Sequence, residues 1–282
     1  MRIALIHNPH AGARKLRRAE MLARVLGTRG HVVTLHDSAR FCFTRDAPDA
    51  QLLCICGGDG TVRLVLERQD DLASLPPLAI YPTGTINLLA RELGYPSDAQ
   101  AFAARIENAA QPRPVTIARA GDMHFLACAS IGFDANAVAA VSPGLKARIG
   151  RLAYLVALLT LFWRWPRQQL QVTADGESFT AEAVFVQRGA LYAGPWTLDR
   201  RAGLTSAKLH MLALPRARRR DFAALVIYAL QGARRPRAEW RLLPVSQVEI
   251  GTYQPSPIQL DGDIAGSTPV SIGITNRVIR WL

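Results

Sequence analysis

At 282 residues and 49% hydrophobic content, the chain is long enough for two domains with sizeable cores, which excludes a disordered or fibrous protein. No run approaches the roughly 18 apolar residues of a spanning helix, and the first residues read as a strand rather than a signal peptide, so a cytoplasmic location is expected. The net charge of +12, with a pI near 10.4, is carried almost wholly by arginine and favours polyanions: nucleic acid, nucleotide phosphates or an anionic membrane surface.

Residues 2 to 7 are mostly apolar, as in a parallel strand covered on both faces. The turn Asn8-Pro9-His10-Ala11-Gly12 follows, then a basic amphipathic helix from Ala13 to Leu26 stopped at Gly27. Strands are expected at His31 to Leu35 and Leu52 to Cys56, the second ending in Gly57-Gly58-Asp59-Gly60. Thr61 to Glu67 reads as a helix, and Leu78 to Tyr81 as a strand ending in Pro82-Thr83-Gly84-Thr85-Ile86-Asn87. Such alternation argues for an open, mainly parallel α/β sheet, in which ligands bind beyond the C-terminal ends of the strands. Three separated turns would therefore converge on one pocket.

The middle turn carries the most chemistry. Its glycines let backbone approach a ligand closely, and the helix that follows offers unpaired N–H groups to an anion. A carboxylate at Asp59 beside a phosphate calls for a cation between them, as Mg²⁺ would be; an ordinary tight turn is the plainer alternative. Cys42, Cys54, Cys56 and Cys128 lack metal-ligand clustering and read as core thiols, with Cys54 and Cys56 on one strand face.

Beyond Pro114 the pattern changes to short alternating strands, at Val115 to Arg119, His124 to Ser130, Leu170 to Ala174, Ala183 to Gln187, Lys208 to Ala213, Val248 to Gly251 and Pro257 to Leu260. Two packed sheets are expected, with helices at about Arg148 to Trp165 and Asp221 to Gln231. The segment Leu152 to Trp163 is apolar nearly all round and bracketed by arginines, which suits a membrane interface or lipid pocket as well as a buried core helix. Arg216, Arg218, Arg219, Arg220, Arg234, Arg235 and Arg237 flank the apolar Phe222 to Leu230, either as solvated charge or as contacts for anionic headgroups.

The ordered motifs Asn8-Pro9-x-x-Gly12, Gly57-Gly58-Asp59-Gly60-Thr61 and Pro82-x-Gly84-Thr85-x-Asn87-x-x-Ala90-Arg91 together resemble the diacylglycerol kinase catalytic-domain family, which includes bacterial lipid kinases and the sphingosine and ceramide kinases. The likeness continues through Ile131-Gly132-Phe133-Asp134-Ala135 and Gly150-x-x-Ala153-Tyr154 to Leu260-Asp261-Gly262-Asp263. It implies an α/β + β architecture: an open α/β nucleotide-binding domain over 1–114, shared with NAD kinase, and a β-sandwich over 115–269. Residues 270–282 would return to the first domain, and the active site would lie in the cleft between the two.

The resemblance also implies roles. ATP would sit on Asn8, Pro9, His10, Ala11, Gly12, Gly57, Gly58, Asp59, Gly60, Thr61, Val62, Arg63, Leu64, Thr85 and Asn87. Asp59 would act through Mg²⁺, Asp263 would accept the proton of a lipid hydroxyl, and Asp261 would orient it or help to hold the metal. Diacylglycerol or a related lipid is the implied substrate, with the protein peripheral at the inner membrane surface and its oligomeric state open, a homodimer included. Arg63, Leu64 and Leu88 depart from the family pattern, and Asp263 stands where the family usually has Glu. A Mg²⁺ site that some bacterial members build from Asp-Gly-x-Leu-Asp falls on Ser206-Ala207-Lys208-Leu209-His210 and is expected to be missing.

The competing expectations are a degenerate kinase acting as a nucleotide- or lipid-binding regulator, and an NAD kinase, whose adenosine-binding pattern differs from Pro82 to Asn87. A P-loop enzyme and a Gly-x-Ser-x-Gly hydrolase lack their motifs here. Basic and aromatic residues do not interleave on one face, so no nucleic-acid partner is expected.

Overall fold

The computed structural model describes residues 1–9, 12–139 and 167–282, and the chain divides into two compact units. The first holds Met1–Ile117 with Asn276–Leu282, and the second holds Ala118–Thr275. His10, Ala11, the apolar Leu152 to Trp163 and the expected helix around it lie outside the described residues.

In the first unit β1 (Arg2–His7), β2 (Val32–Asp37), β3 (Leu52–Gly57) and β4 (Leu78–Pro82) pair in the order β2-β1-β3-β4, all parallel. Ile3 to Ile6 and every residue of β3 and β4 are buried, so the central strands read as unbroken apolar runs because both faces are covered. The covering helices bury one stripe each. In α1 (Ala13–Thr28) the stripe is Ala19, Leu22, Val25 and Leu26, and in α3 (Asp59–Glu67), which follows the short α2 (Phe43–Asp46), it is Val62, Val65 and Leu66. Two more helices follow, α4 (Leu88–Glu92) and α5 (Ala99–Glu107), the latter capped by Asp98 through the Ala101 N–H at 2.9 Å.

The first helix runs through Gly27, which the sequence takes as its stop. Its true C-terminal glycine is Gly30, at φ +83°, where His31 N–H bonds Leu26 O at 3.1 Å and Gly30 N–H bonds Gly27 O at 3.0 Å. That is a Schellman closure, and it uses His31, so β2 begins at Val32.

The second unit contains two antiparallel sheets. One pairs β7 (Cys128–Ile131), β10 (Ala183–Gln187), β11 (Leu209–Leu214), β12 (Arg241–Val245), β14 (Pro257–Leu260) and β15 (Asp263–Ser267) in the order β12-β11-β10-β7-β14-β15. The other contains β8 (Leu170–Ala174), β9 (Glu177–Ala181), β13 (Gln247–Gly251) and the start of β16 (Val270–Trp281). Val172, Ile250 and Ile272 of one sheet share a core with Ile131, Val184, Met211 and Leu260 of the other, as in a β-sandwich. β16 ends in the first unit, where Trp281 is 1% exposed and pairs with Leu78. β5 (Arg113–Ala120) runs across the division at Ile117.

His124 to Ser130, expected as one strand, is two: β6 (Met123–Phe125), paired with β5, and β7, in the six-stranded sheet. The break is made by a distant side chain, described below. The two remaining described helices are α6 (Phe133–Ala139) and α7 (Arg219–Leu230). The second starts two residues before its expected Asp221, because Asp221 caps the Arg218 N–H at 3.1 Å and so occupies the first turn. Among the described residues no helix is long and apolar enough to cross a membrane.

Candidate active site

In the first unit the glycine turn and the turn after β4 are pressed together. A Cβ on Gly57 would collide with the Thr61 side chain, and one on Gly84 would lie 2.6 Å from Gly58 Cα, so backbone approaches backbone where no side chain fits. Gly57 O accepts N–H from Thr83 at 3.1 Å and from Gly84 at 3.3 Å, and Asn87 Nδ2 donates to Gly84 O at 2.9 Å.

Asp59 locks this arrangement. It is 8% exposed, and its two oxygens accept the N–H groups of Leu88 and Leu89, each at 2.9 Å. Those are orphan donors of the α4 N-terminus, next to Asn87 in the left-handed conformation at φ +55°. The sequence assigns Asp59 to Mg²⁺; in the structure each of its carboxylate oxygens accepts a backbone N–H, which makes Asp59 a strut between the second and third motifs. Among the described residues no cluster of three metal-ligating side chains occurs.

A pocket opens beside this turn, lined by His7, Asn8, Lys15, Cys56, Gly57, Gly58, Thr61 and Thr83. Four of the expected nucleotide residues, Asn8, Gly57, Gly58 and Thr61, are among them. Gly12, at φ +97°, is open to any added Cβ yet barred to side chains by that conformation, and its carbonyl starts α1 by accepting Lys15 N–H at 3.0 Å. Val62 is fully buried in the core, Arg63 pairs with Glu67 at 3.1 Å, and Leu64 and Thr85 do not line the pocket.

His7, Lys15, Cys56 and Thr83 escaped the sequence reading. Lys15 had a signal: a lysine three residues past Gly12, in the first turn of a helix. Cys56 is inert, since burial and its neighbour Cys54 push its thiol well above the ordinary range. Burial lowers the His7 imidazole against the opposing pull of Asp37 and Glu20. The lining holds a cation, two hydroxyls and glycine backbone at a helix N-terminus, and no carboxylate. That donor set fits a polyphosphate, and the buried Asn87 Oδ1, which accepts no hydrogen bond, leaves an acceptor over beside it.

In the second unit Asp261 and Gly262 form the two-residue loop between β14 and β15, with φ of +50° and +90°. Two positive values mark a type I′ turn, which the Asp-Gly pair favours. Asp261 is 6% exposed, and its carboxylate accepts N–H from Leu126 at 2.9 Å, Ala127 at 2.8 Å and Cys128 at 3.0 Å. Those three donors cannot also serve a strand ladder, which is why His124 to Ser130 splits. The carboxylate expected to orient Asp263 or to help hold a metal thus accepts three backbone N–H groups and pins the turn that leads into Asp263. Asp263 is half-buried at the first position of β15.

Nearby in sequence to this turn's anchor, Asp134 opens α6, which packs on β14 and β15. Its Oδ2 accepts the hydroxyls of Ser130 and Tyr192, each at 2.6 Å. Burial raises this carboxyl, and the two hydroxyl donors oppose the rise. A Cβ on the preceding Gly132 would strike Glu182 O at 2.6 Å, which fixes glycine there. At the stretch expected to lack the Asp-rich metal motif, His210 links Asp199 at 2.9 Å to Ser206 at 3.1 Å.

The chain matches the Diacylglycerol kinase catalytic domain over residues 2–120 and the YegS C-terminal NAD kinase beta sandwich-like domain over residues 127–282. It is 24% identical over 279 residues to a diacylglycerol kinase of Bacillus subtilis, covering 95% of this chain and 91% of that protein. A Pseudomonas putida protein named "Probable lipid kinase YegS-like" is 30% identical over 210 residues, 73% of this chain and 68% of its own length. The fold is similar to the crystal structure of a diacylglycerol kinase from Bacillus anthracis str. Sterne, at a TM-score of 0.71 and 20% identity over 100% of this chain and 97% of that one. Since the two matches span the glycine turns and the Asp-Gly hairpin and leave little of the chain outside them, the protein belongs to the diacylglycerol kinase catalytic-domain family of lipid kinases, which are phosphotransferases.

Proposed function

We propose that the protein transfers the γ-phosphoryl group of ATP to a hydroxyl of diacylglycerol or a related lipid. The observation that carries this reading is the acid-free pocket in which Lys15, Thr61 and Thr83 meet the glycine turn. Phosphoryl transfer asks a protein chiefly for positioning and for cancellation of phosphate charge. Lys15 supplies the charge, the two hydroxyls and the α3 N-terminus supply donors, and Asp59 keeps the donors in place. Mg²⁺, when bound with the nucleotide, neutralises further phosphate charge.

Asp263 acts as the proton acceptor in this reading. The bond from γ-phosphorus to its bridging oxygen breaks, a bond to the lipid oxygen forms, and the hydroxyl proton passes to the Asp263 carboxylate. The relatives named diacylglycerol kinase support the acceptor class. The protein is expected to work peripherally at an anionic membrane surface.

Labelled phosphate transferred from γ-labelled ATP into a total lipid extract, with the product identified, tests the proposal. Label in a phosphorylated lipid supports it, and label transferred only to NAD would replace it with the NAD kinase reading. ATP binding with no transfer to any lipid would leave a regulator, a reading favoured only by the shortened carboxylate at Asp263 and the apolar Leu64 and Leu88.

A further inference from the structure

α7 is apolar on two opposite sides, of which only one is covered. Asp221, Leu225 and Tyr228 are 2, 5 and 3% exposed, and Tyr228 is fixed by its hydroxyl on Leu198 O at 2.9 Å and by an edge-on contact with Trp240. At about 100° per residue, Ala223, Val226, Ile227 and Leu230 fall on the opposite arc. That arc is exposed: Val226 is 42% accessible, Ile227 54% and Leu230 60%. An isolated exposed leucine needs no explanation, but three large aliphatic side chains in one helical stripe mark a binding surface.

Charge identifies the occupant. Arg216, Arg219 and Arg220 stand exposed at the start of the helix, and Arg234, Arg235 and Arg237 beyond its end. Over residues 216–240 seven arginines face two acids, Asp221 and Glu239, a net charge of +5. Both acids are engaged by arginines of the same patch, Asp221 by Arg218 and Arg237 and Glu239 by Arg237. The helical spacing also sets Arg219 and Arg220 on the arc of the apolar stripe.

We infer that α7 is a membrane-docking helix, whose aliphatic stripe enters the interfacial layer of a bilayer while the arginines at its two ends bind anionic headgroups. A second copy of the chain is a poorer occupant, because a two-fold pairing of this face would set +5 against +5. The inference rests on the peripheral membrane association of the proposed function and names the surface that makes it, and its test uses neither nucleotide nor substrate, so it can fail while phosphoryl transfer stands.

Flotation with phosphatidylcholine vesicles, with and without phosphatidylglycerol, is the test. The full chain is expected to float with phosphatidylglycerol vesicles, to stay behind with phosphatidylcholine alone, and to dissociate as salt rises. The double variant Ile227→Glu and Leu230→Glu places carboxylates where the side chains are already solvated, so its melting transition should match the parent's while vesicle affinity falls roughly tenfold or more. Arg234→Glu with Arg235→Glu should weaken affinity by a similar factor and flatten the salt dependence. Parental flotation by both variants would overturn the proposal. So would a parental dimer in light scattering that the Ile227→Glu and Leu230→Glu variant converts to a monomer, since the occupant would then be a second copy. Turnover of lipid dispersed in neutral detergent micelles should be the same in parent and variants, so a failed kinase assay leaves the flotation result standing.

Discussion

The glycine turn of the first unit and the Asp-Gly hairpin of the second use the same device on different scaffolds. In each, a buried aspartate accepts successive backbone N–H groups from a segment distant in sequence: Asp59 from Leu88 and Leu89, Asp261 from Leu126, Ala127 and Cys128. The hairpin at Asp175-Gly176 repeats it on the surface, with Asp175 accepting Ser246 N–H at 3.0 Å and Gln247 N–H at 2.9 Å. The difference lies in what the pinned turn presents. The glycine turn presents backbone and hydroxyl donors, with Lys15 for charge, whereas the hairpin presents a second carboxylate, Asp263. On the proposed function, then, the acid that holds and the acid that acts within a motif are separable, and substitution can tell them apart.

The largest expected effect is on the acid that acts. Asp263→Asn should lower turnover by about 10² to 10⁴, the usual range for a general base, with ATP affinity and melting temperature unchanged. Parental turnover in a lipid-kinase assay would remove Asp263 from that role. The holding acids should behave in the opposite way. Asp261→Asn keeps an oxygen for the Ala127 and Cys128 N–H groups but turns an amide NH₂ against that of Leu126, and should destabilise the second unit by about 2 to 3 kcal/mol, read as faster hydrogen exchange at Leu126 to Cys128. Asp59→Asn can keep one of its two N–H donors and sets its NH₂ against the other; it should cost about 1 to 2 kcal/mol, read at Leu88 and Leu89. Should Asp59→Asn leave exchange unaltered and change only the Mg²⁺ requirement, the strut assignment would fail. Lys15→Met should weaken ATP binding roughly tenfold by titration calorimetry while leaving both struts protected.

These struts mark the boundary of what the residues disclose. The alternation of strand and helix, the fully apolar β3 and β4, and the Asp-Gly hairpin are local patterns, and they give the fold class directly. The pairing of Asp59 with Leu88 and Leu89 spans about thirty residues, and that of Asp261 with Leu126 to Cys128 more than one hundred and thirty. No periodicity encodes either. For that reason His124 to Ser130 reads as one strand and neither aspartate reads as a strut. Gly27 reads as the stop of α1 for a different reason: two glycines stand three residues apart, and only the left-handed conformation of the second, Gly30, shows which closes the helix. Lys15 was legible in spacing but hidden among arginines that serve other purposes.

The smallest effect concerns His7, where ligand-free stability and ligand binding should respond to acid with opposite sign. The imidazole lines the pocket, its buried Nδ1 has no partner, and burial lowers its pKa from 6.5. In the unfolded chain the ring takes up a proton as the pH falls below 6.5, while the folded chain resists until the lower value is reached. The contribution of His7 to stability is therefore complete above the unfolded pKa and is lost as the pH falls through the folded one. Urea unfolding of the ligand-free chain should show this acid limb, and His7→Gln should flatten it. A polyphosphate in the same pocket reverses the sense, because negative charge beside the ring favours imidazolium. Nucleotide affinity should then rise on acidification by at most about tenfold per pH unit, the limit for uptake of one proton. Since the nucleotide phosphates themselves titrate in this range, inorganic tripolyphosphate measured against His7→Gln isolates the ring's share; parallel pH profiles for parent and variant would place His7 outside the reach of the phosphate.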